Sequence, residues 1–392
     1  MIDLEKRGFV KYLLFSSLYF SEGLKWSIAV IIFPLYFDQL GISPTILGLV
    51  IALSGIPTMV KFLFGGIIDY FIRYGRKKFV LLGGLTAAVS LLIIAFINPA
   101  NALVPFTILF FIGIFGIMFL DVAADAWAIE ITKKEERGKV NGGMFAGISI
   151  GMGVGSILFT QIASIYSYSL VFVFAGLLIL IIIIIPLTIK EEKIINKIKK
   201  MKFALLIEFK NKTVQIFCSF IPLVGISGGI LLIIIPLYLK NVLMLNDAQV
   251  GLITVIFPIA NIFGSLVSGT LSDRLGRKPT LYFVFLCGMI FAALLIFADT
   301  WQIFAIIYGF IGFLYGGILA SIGALSMDLT NPRIAGTQFS FYMSLLNIGE
   351  VGIGYGIAGF LLDNLGYERV FLYAALFYGL ALLVFYYVRI KK

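Results

Sequence analysis

Glu22 and Lys25, at i and i+3, Lys61, Asp121 and Asp125, at i and i+4, and Glu350, one turn after Asn347, all stand inside long apolar runs. An ionised group at mid-bilayer costs about 2.5–3.5 kcal/mol, so each one kept there is a candidate for binding a proton, a counter-charge or a polar solute. Residues three or four apart share a helix face. Two carboxyls so placed repel when both are ionised, which favours a bound proton, the chemistry of a proton carrier. The chain has no histidine, so proton exchange falls to carboxylates, in the order Asp125, Glu22, Asp121, Glu350. Each group also has a static reading. Glu22 and Lys25 could be a pair that holds one helix in a bundle. Asp121 and Asp125 could fix Lys61 or loop arginines, and Lys61 reads as structural rather than substrate-binding. Glu350 has no basic residue within its own run to neutralise it.

The elements that position these groups follow from composition. Only 13% of 392 residues are charged and 61% are hydrophobic, whereas a soluble domain carries about 25% charged residues. Apolar runs recur from end to end, each long enough to cross about 30 Å of hydrocarbon as a helix of about 20 residues. The alternating polarity of membrane strands is missing. Twelve helices are predicted, at roughly 11–37, 44–68, 79–97, 102–130, 141–165, 168–189, 213–239, 247–271, 280–298, 301–327, 334–361 and 368–388. The basic N-terminus leads into a long run with no small-residue cleavage site, which reads as a first span.

Lys and Arg concentrate before the first span, in the loops after even-numbered spans and at the C-terminal "RIKK", while the opposite loops hold only Lys240 and Arg369. Both termini are therefore expected in the cytoplasm. The net charge of +10 reflects this asymmetry and gives no support to nucleic-acid binding. Cys218 and Cys287 lie in apolar spans and read as packing residues. Neither a disulfide framework nor a metal site nor a cofactor is expected, and the absence of a Gly-rich phosphate loop argues against an ATP-driven enzyme.

The chain is written twice. "IIFPLYF" at 31–37 answers "IIIPLYL" at 233–239, and Asp69 answers Asp273, roughly two hundred residues on. Six spans in each half at a near-constant offset predict parallel repeats: an N-terminal bundle over 1–189, a cytoplasmic linker over 190–212 and a C-terminal bundle over 213–392.

"GTLSDRLGRK" at 269–278 closely resembles the signature loop of the major facilitator superfamily, and "GGIIDYFIRYGRKK" at 65–78 repeats it degenerately. The resemblance covers the whole chain. It implies a membrane carrier working by alternating access, with Asp69, Gly75, Arg76, Asp273, Arg274, Gly276 and Arg277, joined by Arg137, latching the cytoplasmic side. It also places Glu22, Lys25, Asp121 and Asp125 on the helices that line a central cavity. The alternative is that the loop charges are simple positive-inside anchors. A narrower resemblance, carried by "VKFLFGGIIDYFIRYGRKK", "LDVAADAWAIEITKKEERG" and "DLTNPRIAGTQFS", is to the muropeptide permease branch, which includes acetyl-CoA transporters. Glu350 departs from that pattern, which tends to carry a basic residue there.

No Arg lies deep in any span, so the planar fork suited to bidentate phosphate or carboxylate is missing. Acids outnumber bases among the buried groups, which favours neutral, zwitterionic or cationic solutes. The expectation is a proton-coupled symporter of a small polar metabolite, resident in the cell membrane, whose partners are its solute, protons and the bilayer. The first alternative is proton-antiport export of amphiphilic or cationic compounds. The second, of another class, is a receptor or assembly factor that does not transport. Glycine-rich "GMFAGISIGMGVG" and "GEVGIGYGIAG" are expected to mark close helix contacts.

Overall fold

A computed structural model describes residues 8–132, 136–191, 210–331 and 335–388. The side chains of Asp69, Arg137 and Asp273, and residues 192–209 of the expected linker, lie outside the described residues. Hydrocarbon offers backbone amides no partners but each other, and the apolar runs accordingly form helices. In chain order these are α1 (Gly8–Ser27, a π turn Ile28–Ile32, then Phe33–Gln39), α2 (Pro44–Ser54, Ile56–Met59, Lys61–Tyr70), α3 (Arg76–Ile94) and α4 (Leu103–Ile131). There follow α5 (Arg137–Ile165), α6 (Tyr168–Thr188), α7 (Lys212–Asn241) and α8 (Asp247–Thr254, Ile256–Leu275). Last come α9 (Arg277–Leu294), α10 (Trp301–Asp328), α11 (Ala335–Asn347, a π turn Ile348–Gly354, then Tyr355–Leu365) and α12 (Tyr367–Tyr386). Polar side chains start several of them. Ser167, Asn211 and Thr300 cap α6, α7 and α10, and Asn246 with Gln249 makes a capping box on α8.

Among the described residues, eleven of the twelve are long and apolar enough to cross a membrane. The second is broken where the sequence suggested one helix over 44–68. Pro57 has no amide to continue the ladder, and the chain turns at Gly55 and again at Val60, whose φ of −108° and ψ of 20° leave the helical region. A milder break interrupts α8 at Val255, just before Pro258.

Contacts divide the chain into two units, Met1–Tyr36 with Leu53–Lys199, and Phe37–Ala52 with Lys200–Lys392. Phe37–Ala52, written in the first half, packs within the second unit because its polar groups are taken up there. Lys240 Nζ stands 3.4 Å from Asp38 Oδ2 and 3.2 Å from Asp247 Oδ1. Asn241 Nδ2 donates to Asp38 Oδ1 at 2.8 Å, and the Thr45 amide donates to Asp363 Oδ2 at 2.9 Å.

The glycine-rich stretches do lie at close helix contacts. In the first unit a Cβ at Gly147 of α5 would come within 2.2 Å of the Ser16 carbonyl of α1, and in the second a Cβ at Gly349 of α11 would come within 2.1 Å of the Pro222 carbonyl of α7. Backbone cannot retreat as a flexible side chain does. Gly147→Val is therefore expected to force α1 from α5 at the usual overpacking cost of about 1–3 kcal/mol. Gly142→Ala, on the same helix with nothing within 4 Å of the added carbon, is expected to be tolerated. Thermal midpoints of the two purified variants check the contrast.

Candidate functional site

Three helices of the first unit, α1, α2 and α4, bring Tyr19, Lys61, Asp121 and Asp125 together. Asp121 and Asp125 stack one turn apart on α4, and Lys61 opens the last piece of α2, immediately after the break at Val60. Its ammonium lies 2.5 Å from Asp121 Oδ2 and 3.8 Å from Asp125 Oδ2. Asp121 is sealed, its side chain 1% exposed, whereas that of Asp125 is 38% exposed. Tyr19 of α1 donates its hydroxyl to Asp125 Oδ1. One lysine is thus shared between a closed and an open carboxylate.

Glu22 and Lys25 lie close by on α1, both buried. Their charges are 4.0 Å apart, and each also engages Trp26: Nε1 donates to Glu22 Oε1 at 3.3 Å, and Lys25 Nζ sits 3.6 Å from the ring centroid. A desolvated ammonium over an indole face gains about 2 kcal/mol. The expected pair is present but shared with an aromatic ring. The π turn of α1 begins two residues later. Three carboxylates, Glu22, Asp121 and Asp125, stand in this unit's buried cluster with two lysines, Lys25 and Lys61.

Glu350 belongs to a different setting, in the second unit. Its two carboxylate oxygens accept from Tyr315 of α10 at 2.7 Å and from Tyr355 of α11 at 3.2 Å. Asn347 is the residue at which α11 passes into its π turn. Tyr19, Trp26, Tyr315 and Tyr355 are thus site members that sequence reasoning did not pair with the acids.

At the cytoplasmic loops, Gly75 and Gly276 take φ values of +83° and +95°, a backbone region that suits glycine. Each turn delivers an arginine to an acid near the end of the helix two spans on, or at its last residue. Arg76 Nε and Nη2 donate to Glu130 Oε1 at 3.1 and 2.8 Å, and Arg277 Nε donates to Asp328 Oδ2 at 3.0 Å. The Glu191 carboxylate accepts from the amides of Arg76 and Lys77 at the start of α3, where a negative charge complements the helix dipole. Lys77 Nζ donates to the Ile189 carbonyl and Lys278 Nζ to that of Val388, so the repeat extends to these lysines. Arg274 is exposed. With the side chains of Asp69, Arg137 and Asp273 outside the described residues, the latch assigned by resemblance is represented by Arg76 and Arg277, each held within its own unit.

The two aspartates can be told apart by stability. Asp121→Asn removes the tight partner of Lys61. Breaking a fully buried pair costs about 3–5 kcal/mol, discounted here because Lys61 is 23% exposed. Asp125→Asn removes only the loose contact. The expected order of thermal midpoints is wild type, then Asp125→Asn, then Asp121→Asn, with Lys61→Met restoring much of the loss when added to Asp121→Asn.

Comparison with known proteins agrees with this architecture. The Major Facilitator Superfamily profile matches residues 15–226 and again residues 216–392, once per repeat. The chain is 26% identical over 373 residues to the multidrug resistance protein MdtG of Proteus mirabilis, covering 91% of this chain and 90% of that protein. It is 25% identical over 162 residues to the quinolone resistance protein NorA of Staphylococcus aureus, covering 39% of each. Among solved structures, the nucleoside transporter NupG superposes with a TM-score of 0.79 at 16% identity, over 97% of this chain and 100% of that one. Double coverage by one profile, twelve helices and two signature loops lead to one conclusion: the chain is a multi-pass membrane transporter, not an enzyme, and belongs to the Major Facilitator Superfamily.

Proposed function

We propose that the protein is a proton-coupled antiporter that exports amphiphilic or cationic compounds, with Asp125 as the group exchanged between proton and substrate. The observation that carries this reading is the unequal pair on α4. Asp121 is sealed on Lys61 at 2.5 Å, while Asp125, 38% exposed, has Lys61 only at 3.8 Å. A partly open carboxylate can hold a proton or a cation, and competition between the two for one acid is the logic of exchange. A cation arriving from the cytoplasm displaces the proton of Asp125 into the cytoplasm. After the carrier reorients, a proton from outside displaces the cation there. Tyr19 keeps one oxygen of Asp125 occupied and leaves the other to the exchanging species. Symport of a neutral or zwitterionic metabolite would instead need proton and solute held together. The narrower branch resemblance suggested that route, whereas the names of the relatives MdtG and NorA, multidrug and quinolone resistance proteins, support the export reading. The signature loops, with Arg76 on Glu130 and Arg277 on Asp328, are read as the parts of a cytoplasmic latch.

The test is proton-driven transport of ethidium in everted membrane vesicles. Wild-type vesicles are expected to accumulate the dye when acidified inside. Asp125→Asn is expected to reduce that accumulation at least tenfold at equal expression and to abolish its pH dependence. Unchanged accumulation by Asp125→Asn would remove Asp125 from the exchange. Acid-driven flux of neutral solute in the direction of the protons would replace antiport by symport.

A further inference from the structure

We infer that the extra residues of the first signature loop form a docking site for an anionic phospholipid of the cytoplasmic leaflet. Arg73 and Lys78 take its phosphate, and Tyr70, Phe71 and Tyr74 lie at the level of its headgroup. From loop aspartate to loop glycine the second repeat reads "DRLG" at 273–276, whereas the first reads "DYFIRYG" at 69–75, three residues longer. Two residues after each glycine stands a lysine, and Lys77 and Lys278 both donate to carbonyls just past the ends of α6 and α12. The next position is Lys78 in the first loop and Pro279 in the second. The three rings with Arg73 and Lys78 therefore belong to the first loop, and a latch common to both loops does not account for them.

The extra residues continue an apolar surface. On the last piece of α2, Leu63, Gly66, Ile67 and Tyr70 are exposed, at the i, i+3, i+4 and i+7 spacing of one helix face. Tyr70 is nine residues from Lys61, about 180° around the helix at about 100° per residue. The exposed face thus points away from Asp121, the close partner of Lys61, and toward the acyl chains of the bilayer. Beyond it the rings of Tyr70 and Phe71 meet edge to face at 4.9 Å, and those of Phe71 and Tyr74 lie 6.2 Å apart. All three are exposed. Tyrosine rings at the end of a span sit at headgroup level.

The charges identify the lipid. Arg73 Cζ stands 4.8 Å and Lys78 Nζ 5.7 Å from the centroid of the Tyr74 ring, and Arg73 Nη2 donates to the Tyr74 hydroxyl at 2.8 Å. Two exposed cations are thus gathered about one ring, and neither has an acid partner among the described residues. A ring face attracts a cation without neutralising it. A phosphodiester does neutralise it, its two free oxygens suiting the guanidinium fork while the ammonium adds a point charge. A zwitterionic lipid would bring its own ammonium beside these two, so an anionic headgroup is preferred. Its chains would follow Leu63 and Ile67, which a free phosphate would leave uncovered. Arg73 and Lys78 flank Gly75 and Arg76 in sequence, so the lipid docks on the loop that delivers Arg76 to Glu130.

The inference does not depend on the substrate or direction proposed above. The experiment is native mass spectrometry of the purified full chain, titrated with phosphatidylglycerol and phosphatidylcholine of identical acyl chains. Wild type is expected to take up its first phosphatidylglycerol at a concentration about tenfold lower than its first phosphatidylcholine, as two cations at one headgroup imply. Arg73→Gln with Lys78→Gln is expected to cut that preference to about twofold. Lys190→Gln with Lys212→Gln removes the same charge from the two ends of the linker and is expected to leave the preference unchanged. All four side chains are exposed, so each variant keeps the fold. Equal uptake of the two lipids by wild type, an undiminished preference in the Arg73 and Lys78 variant, or an equal loss in the linker variant overturns the site. Displacement of the bound lipid by an equal concentration of glycerophosphoglycerol, the headgroup without chains, overturns the lipid as its occupant.

Discussion

A charge placed in some 30 Å of hydrocarbon has to bring its own solvation, and the interior of this protein is arranged around that requirement. Desolvating an ion costs several kcal/mol even after the protein relaxes, so a buried charge persists only where partners are fixed in advance. Lys61 is the clearest case. Its ammonium is satisfied by carboxylates from α4, 2.5 and 3.8 Å away, and those carboxylates are in turn tolerable because the lysine and the Tyr19 hydroxyl are there. Removing any one member changes the cost of all the others, which is why the cluster behaves as a single unit. Lys25 meets the same requirement differently, with an indole face at 3.6 Å and a carboxylate at 4.0 Å.

Backbone irregularity follows these charges. The π turn of α1 begins just after Glu22, Lys25 and Trp26, α2 breaks at Val60 immediately before Lys61, and the π turn of α11 contains Glu350. Regular helix faces repeat every 3.6 residues and present side chains only at the directions that period allows. A break or a widened turn supplies a direction the period does not, and in a membrane such departures persist only where neighbouring protein satisfies the freed groups. The irregular turns are thus part of how the charges are positioned.

The spans, the repeat and the signature loops were legible because each is a one-dimensional signal: run length, offset and motif. The stacking of Asp121 on Asp125 was legible for the same reason, since four residues on a helix return to one face. Lys61 was foreseen as a possible partner of those acids, yet the inequality of its two contacts depends on a break that Pro57 and Val60 place within what read as one continuous span. Tyr19, Tyr315 and Tyr355 were not paired with the acids because a tyrosine in an apolar run looks like packing. Its hydroxyl acquires meaning only from a helix distant in sequence. The same holds for Arg76, whose partner Glu130 is brought to it only by the fold. Phe37–Ala52 packs in the second unit for reasons of charge at Lys240 that no periodicity reports.

Asp125 in the first unit and Glu350 in the second have different partners: a lysine and one tyrosine hydroxyl for Asp125, two tyrosine hydroxyls for Glu350. In the first unit the charge of Asp125 is answered by Lys61 and by the Tyr19 hydroxyl. In the second, hydroxyls donate to both oxygens of Glu350. Hydroxyls can reverse from donor to acceptor without leaving their place, which an ammonium cannot. An acid paired with a mobile cation is suited to exchanging one cation for another. Hydroxyl donors from α10 and α11 tie Glu350 to two helices of the second unit.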